Sequence, residues 1–136
     1  MSEDQQKEKL QTEMPSMEGE FDVEVIGELT KKKFLGSFTS RILNRKNRAA
    51  VGKHRAYLNG ADPQGLSIDI LALHHKIAYL KLALTDAPKF WKGSDGGYEL
   101  FDGNVIDEVY VQVLAFEKQW MTEVWGSEAV AEMEKK

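Results

Sequence analysis

Residues 20–39 read EFDVEVIGELTKKKFLGSFT. Phe21, Val23 and Val25 alternate with acids, and Phe34, Gly36 and Phe38 alternate after them. Period 2 is the pattern of a half-buried strand, because successive side chains point to opposite faces. The Lys31–Lys33 run lies between the two strands or opens the second. The stretch therefore predicts a β-hairpin. A lone hairpin is marginal in water, so it must pack on helices or pair with another chain.

Everything downstream is helical in period. Residues 40–59 predict a first helix, with Ser40 as N-cap and Gly60 as stop. Leu43, Ala50 and Tyr57 form its apolar stripe, and its other faces carry Arg41, Arg45, Lys46, Arg48, Lys53 and Arg55. Residues 62–84 predict a second helix, started by Asp62 and Pro63. Its inward row is Leu66, Ile70, Leu73, Ile77, Leu80 and Leu84, the most apolar in the chain. Residues 85–103 are a connector in which Pro88 stops the second helix, glycines turn the chain, and Phe90 and Trp91 cover the end of the core. Residues 104–125 predict a third helix, begun by Asp102 or Asn104, with Val105, Val109, Phe116, Trp120 and Val124 on one side. The fold class is α+β, mostly α: an N-terminal β-hairpin packed on a three-helix core. Residues 1–19 are expected to be a disordered acidic arm, 20–126 one globular domain, and 127–136 a short helical or frayed tail.

Composition narrows the chemistry. The chain has 136 residues and no cysteine, which excludes disulfides, thiolate metal sites and cysteine nucleophiles. No run of apolar residues is long enough for a transmembrane helix, and the polar N-terminus lacks the apolar region of a secretory signal. Charge is uneven: −7 over residues 1–28, +9 over 29–60 and −6 over 61–136. A basic block in an acidic chain points to an anionic partner or to an acidic protein segment.

Candidate sites fail on register. His74 and His75 are adjacent, about 100° apart on a helix, and their i+4 partners are Ala78 and Tyr79. A half-buried and an exposed histidine is the expectation. A calcium loop counted from Asp95 puts Leu100 at position 6 and Ile106 at position 12, and counting from Asp102 gives Asp107 and Val113. Gly93–Gly97 lacks the Lys and following hydroxyl of a phosphate loop, and no nucleophile elbow occurs. No enzyme activity, metal or cofactor is expected. Partner binding is assigned instead to Arg41, Arg45, Arg48 and Arg55 and to the aromatics Phe90 and Trp91. Nucleic acid is disfavoured, because no stacking aromatics interleave the basic stretch and no zinc or ribonucleoprotein motif is present.

Four segments in order carry a resemblance: FLGSFTSRILN, RAYLNG, DAPKFW and LFDGNVIDEVYVQVLAFEKQW. With the hairpin that leads into the first of them, the chain resembles over about residues 20–125 the tail assembly chaperones of long-tailed bacteriophages. The resemblance implies a non-enzymatic protein of the host cytoplasm. Its partners would be the tape measure protein, kept soluble, and the tail-tube subunits that polymerise around it. A homo-oligomer and a second, longer product made by frameshifting also belong to that expectation. The alternatives are a structural phage protein retained in the virion, as a tail or head–tail connector subunit, and a nucleic-acid-binding regulator using the four arginines.

Overall fold

The computed structural model describes residues 16–126 and Glu132. The expectations for residues 1–15 and for the rest of 127–136 lie outside it. The elements are β1 (Glu18–Ile26), β2 (Lys33–Arg41), α1 (Arg45–Asn59), a 3-10 turn (Pro63–Gly65), α2 (Ile68–Ala83), β3 (Leu84–Asp86), α3 (Lys89–Lys92) and α4 (Gly103–Trp125). The strands form one antiparallel sheet in the order β1-β2-β3. The fold is α+β and mostly α, as the sequence predicts.

The hairpin is paired in the register that the alternation dictates. Phe21 faces Phe38 and Val23 faces Gly36. One face turns inward, with Val23 and Phe38 buried and the Phe21 and Phe38 rings stacked at 5.4 Å. The other face carries Glu18, Glu20, Asp22 and Glu24, all exposed. β1 begins at Glu18, so two residues assigned to the arm belong to the sheet.

The first helix starts later than predicted. Ser40 is not its N-cap but a buried residue of β2, and its hydroxyl makes no hydrogen bond. Strand alternation from Phe34 through Phe38 to Ser40 outweighs the local capping preference, because pairing to both β1 and β3 satisfies the backbone there. Asn44 caps α1 instead. Its side chain accepts from Asn47 N at 2.8 Å, and the Asn47 side chain accepts from Asn44 N at 3.2 Å. The inward row of α1 is Val51 and Leu58, while Tyr57, placed in the predicted stripe, is 78% exposed. Ala50 and Tyr57 each stand one residue before Val51 and Leu58, about 100° around the helix, which puts Tyr57 off the buried face.

Asp62 and Pro63 open only a 3-10 turn, after which Leu66 is extended. Ser67 caps α2 by accepting from Ile70 N at 3.2 Å. Leu66 therefore precedes the helix, and Ile70 is exposed rather than in the core. The buried part of α2 is His74, Ile77, Ala78, Tyr79, Leu80 and Ala83. The helix ends at Ala83, and Leu84–Asp86 form β3 against β2, an element absent from the sequence reading.

The connector is more structured than a loop. Pro88 precedes the short α3, whose Trp91 is 4% exposed. Phe38 meets Trp91 edge-on at 5.5 Å, and Phe90 bridges Phe34 and Phe38 at 5.1 and 6.1 Å. Gly36 permits this approach, since a Cβ there would lie 2.5 Å from Pro88. In α4, Val105, Ile106, Val109 and Val113 are the buried residues. Burying one large apolar side chain contributes about 1.5–3 kcal/mol before entropy.

Asp102 occupies the N-cap position of α4, but its side chain makes no cap bond to its own helix. Its carboxylate accepts from Leu29 N at 2.7 Å, Thr30 N at 2.9 Å and Thr30 Oγ1 at 2.5 Å. Asn104 adds a second tie, accepting from Glu28 N at 3.0 Å and donating to Ile26 O at 2.9 Å. The start of α4 thus clamps the hairpin turn.

Candidate functional site

The six predicted site residues do not converge. Arg41 lies in β2, not on the first helix, and its Nε donates to Leu82 O at 2.8 Å, tying the sheet to α2. That contact gives Arg41 a structural role in the sheet. Arg45, Arg48 and Arg55 are exposed on α1, and Arg55 Nη1 stands 3.2 Å from His75 Nδ1. Trp91 is buried in the core, and Phe90 is half-buried in the aromatic cluster, so neither is an exposed anchor.

Of the six, Trp91 borders a concavity. A cleft of about 610 Å³ opens between α1, α2, β3 and the loop after α3. Its volume falls within the range of ligand pockets, about 300–1,000 Å³. Leu58, Ile77, Leu80, Leu84 and Trp91 give it an apolar floor. His54 and Tyr57 of α1 stack at 5.9 Å and form one wall. The rim carries Lys81, the Asp86–Lys92 ion pair at 2.8 Å, and Asp95. Burial, then the positive charge of Lys81, push the His54 imidazole below its ordinary range, with Asp95 opposing them. His54 is accordingly neutral at neutral pH, a stacking surface rather than a cation.

The opposite wall is Tyr98, held from behind by His74. His74 Nε2 lies 2.6 Å from the Tyr98 hydroxyl and Nδ1 lies 2.8 Å from Asn59 Oδ1. An amide oxygen only accepts, so Nδ1 donates and, in the neutral ring, Nε2 accepts from the tyrosine. His74 is fully buried and His75 half-buried, one step further inward than the sequence reading for each. The loop that carries Asp95 wraps the floor of the cleft. Gly97 has φ +87° and sits so close to Trp91 that a Cβ would lie 2.6 Å from the indole.

A smaller groove of about 320 Å³ lies where β1 begins and α4 ends, lined by Met17, Leu43, Trp120, Met121 and Trp125. The Trp120 indole N–H is buried there without a partner.

Among the described residues no three His, Asp or Glu side chains stand together as metal ligands. Asp102, an early candidate for a calcium loop, has its carboxylate engaged by the hairpin turn. Among the described residues no helix is long and apolar enough to cross a membrane. What the cleft offers is an apolar bed between aromatic walls, with separated charges at the rim.

Sequence reasoning missed the cleft because five segments supply its lining and no local motif marks it. Tyr57, which lines it, was assigned from sequence to the apolar stripe of the first helix. Compared with known proteins, the chain matches no family model, no curated protein and no solved structure.

Proposed function

We propose that this chain is a non-enzymatic protein-binding module acting as a phage tail assembly chaperone. On this reading it receives segments of the tape measure protein, keeps them soluble and assists tail-tube assembly in the host cytoplasm. The observation that carries the reading is the cleft over Leu80, Leu84 and Trp91, an apolar bed with an exposed tyrosine at its mouth. Such a bed suits an apolar side chain of another protein. The four segments that resemble the chaperone family narrow the module to that role. The test is co-expression with the tape measure protein. The chain is expected to shift that protein into the soluble fraction and to be missing from purified virions. A tape measure protein that stays insoluble beside it overturns the reading, and stoichiometric presence in virions favours a structural tail protein.

A second reading draws on α1. Arg45, Lys46, Arg48, Lys53 and Arg55 are all exposed on a helix that contains no acid. Three of them crowd its first turn, where the helix dipole is already positive. That arrangement favours an anionic partner, which for a regulator would be nucleic acid. Titration at two salt concentrations decides it, since phosphate contacts strengthen steeply as salt falls. No binding at low salt removes this reading.

A further inference from the structure

The smaller groove, about 320 Å³, lacks both cover and a hydrogen-bond acceptor. Met17 and Trp125 line it, and each is 54% exposed. Trp120 of the same groove holds a buried indole N–H with no acceptor, an arrangement that costs stability. One side of the groove is cationic. Arg48 lines it, and Arg45 and Lys46 stand exposed in the same first turn of α1. None of the three makes an ion pair among the described residues, and that turn holds no acid. Glu117, the acid of the groove, is engaged by the Tyr79 hydroxyl.

Residues 1–15, MSEDQQKEKLQTEMP, lie outside the described residues but join them at this groove. Ser16 and Trp120 both line an adjoining recess of about 210 Å³. Met17 O accepts from Ile42 N at 2.8 Å, three residues before α1 begins. The chain before Ser16 is thus tethered beside the cations of α1. It carries Glu3, Asp4, Glu8 and Glu13 against Lys7 and Lys9, and its large apolar residues next to the groove are Leu10 and Met14. Met14 is three residues from Met17, a reach of about 10 Å. Leu10 is seven residues away, a reach of about 24 Å, which matches the length of α1 at about 22 Å. Residues 127–136 adjoin the groove through Trp125, but their acids, Glu128, Glu132 and Glu134, run into Lys135 and Lys136.

We propose that the occupant of this groove is the chain's own segment 1–15. Met14 and Leu10 cover Met17, Trp120 and Trp125, and a main-chain carbonyl of the segment accepts from the Trp120 indole. Glu8 and Glu13 meet Arg45, Lys46 and Arg48. Attachment at Met17 makes the contact intramolecular, so a few modest contacts suffice to hold it. The docked segment supplies the anions that the first turn of α1 lacks, and an outside anionic partner at that turn must displace it. The inference goes beyond the chaperone reading and stands without it.

The test uses the full chain. Because no cysteine is present, Gln5→Cys gives a single site for a nitroxide label. The label is expected to broaden the magnetic resonance signal of the Trp120 indole N–H, identified by its loss in Trp120→Phe. Leu10→Ser with Met14→Ser removes the apolar contacts and should lower the ratio of docked to free segment, read from that broadening, about tenfold. Arg45→Glu with Arg48→Glu should lower it about threefold at low salt. Adding Glu8→Lys and Glu13→Lys to that pair should restore it, a rescue that a merely unfolded variant would not show. Broadening that neither pair of substitutions changes overturns the proposal. Broadening passed to unlabelled copies in a dilute mixture assigns the groove to a second chain and overturns it too. So does a Trp120 signal that shifts on Val130→Ser with Met133→Ser but not on the substitutions at Leu10 and Met14, which assigns the groove to residues 127–136.

Discussion

Asp102 shows how one side chain can be read correctly as a boundary and still be misread as a device. Its position before α4 invites a capping role, but the carboxylate points away from its helix and collects three donors from the hairpin turn. Burial pushes the carboxyl up, yet bonds from Thr30 and Leu29 and the charge of Lys32 outweigh it and hold the group below its ordinary range. A depressed folded-state value adds stability above the unfolded value, near pH 4, and that stability is lost as pH falls further. Asp102→Asn should therefore lower Tm at neutral pH, and its gap from the wild type should close as pH drops below about 4. Thermal melts across that range check it. Gly27→Ala should act in the same direction, because its Cβ would lie 2.3 Å from the same carboxylate. Gly97→Ala combines a left-handed φ with a clash against Trp91, and denaturant unfolding should show a loss of about 2–4 kcal/mol. At the alkaline end, burial and then the hydrogen bond to Glu117 raise the Tyr79 hydroxyl well above its ordinary value. The stability it contributes is present below about pH 10 and declines as pH rises beyond. Tyr79→Phe should flatten that alkaline decline in the same melts.

At the scale of elements, period was legible and boundaries were not. The hairpin and the three long helices follow from alternation and from 3.6-residue spacing, and each is present. The start of α1 was misplaced because Ser40 suits both a cap and a strand, and the partner that decides it, β3, lies 44 residues downstream of Ser40. β3 itself escaped notice because three residues after a helix carry no period. The Asp62-Pro63 pair signalled a real turn, but Leu66 leaves helical conformation before α2 starts at Ile68. α1 gives an element-scale prediction. With Arg45 and Lys46 against the positive end of the dipole and no acid in the first turn, Arg45→Glu and Lys46→Glu should each stabilise the fold by about 0.3–1 kcal/mol. Higher Tm with weaker partner binding would mark these cations as kept for recognition.

For the whole molecule, the candidate site is an outcome of assembly. Its floor needs α1, α2 and α3 packed together, and its rim needs β3 seated on β2. None of that is visible as a motif, which explains why the residues chosen from sequence, strong in charge or size one at a time, were scattered. Trp91 illustrates the shift: assigned from sequence both to the end of the core and to partner binding, it is a core residue whose ring supports the bed from beneath. The tie from Asp102 to Leu29 spans 73 residues, and this has a consequence for synthesis. The hairpin leaves the ribosome before α4, so the groups that secure its turn are translated after it. At about 5–20 residues per second, its amides wait roughly 4–15 s for their acceptor. During that interval the apolar face around Val23 and Phe38 has no α4 to cover it. A nascent chain halted before residue 102 should therefore be captured by holding chaperones, whereas one extended past Val113 should escape them.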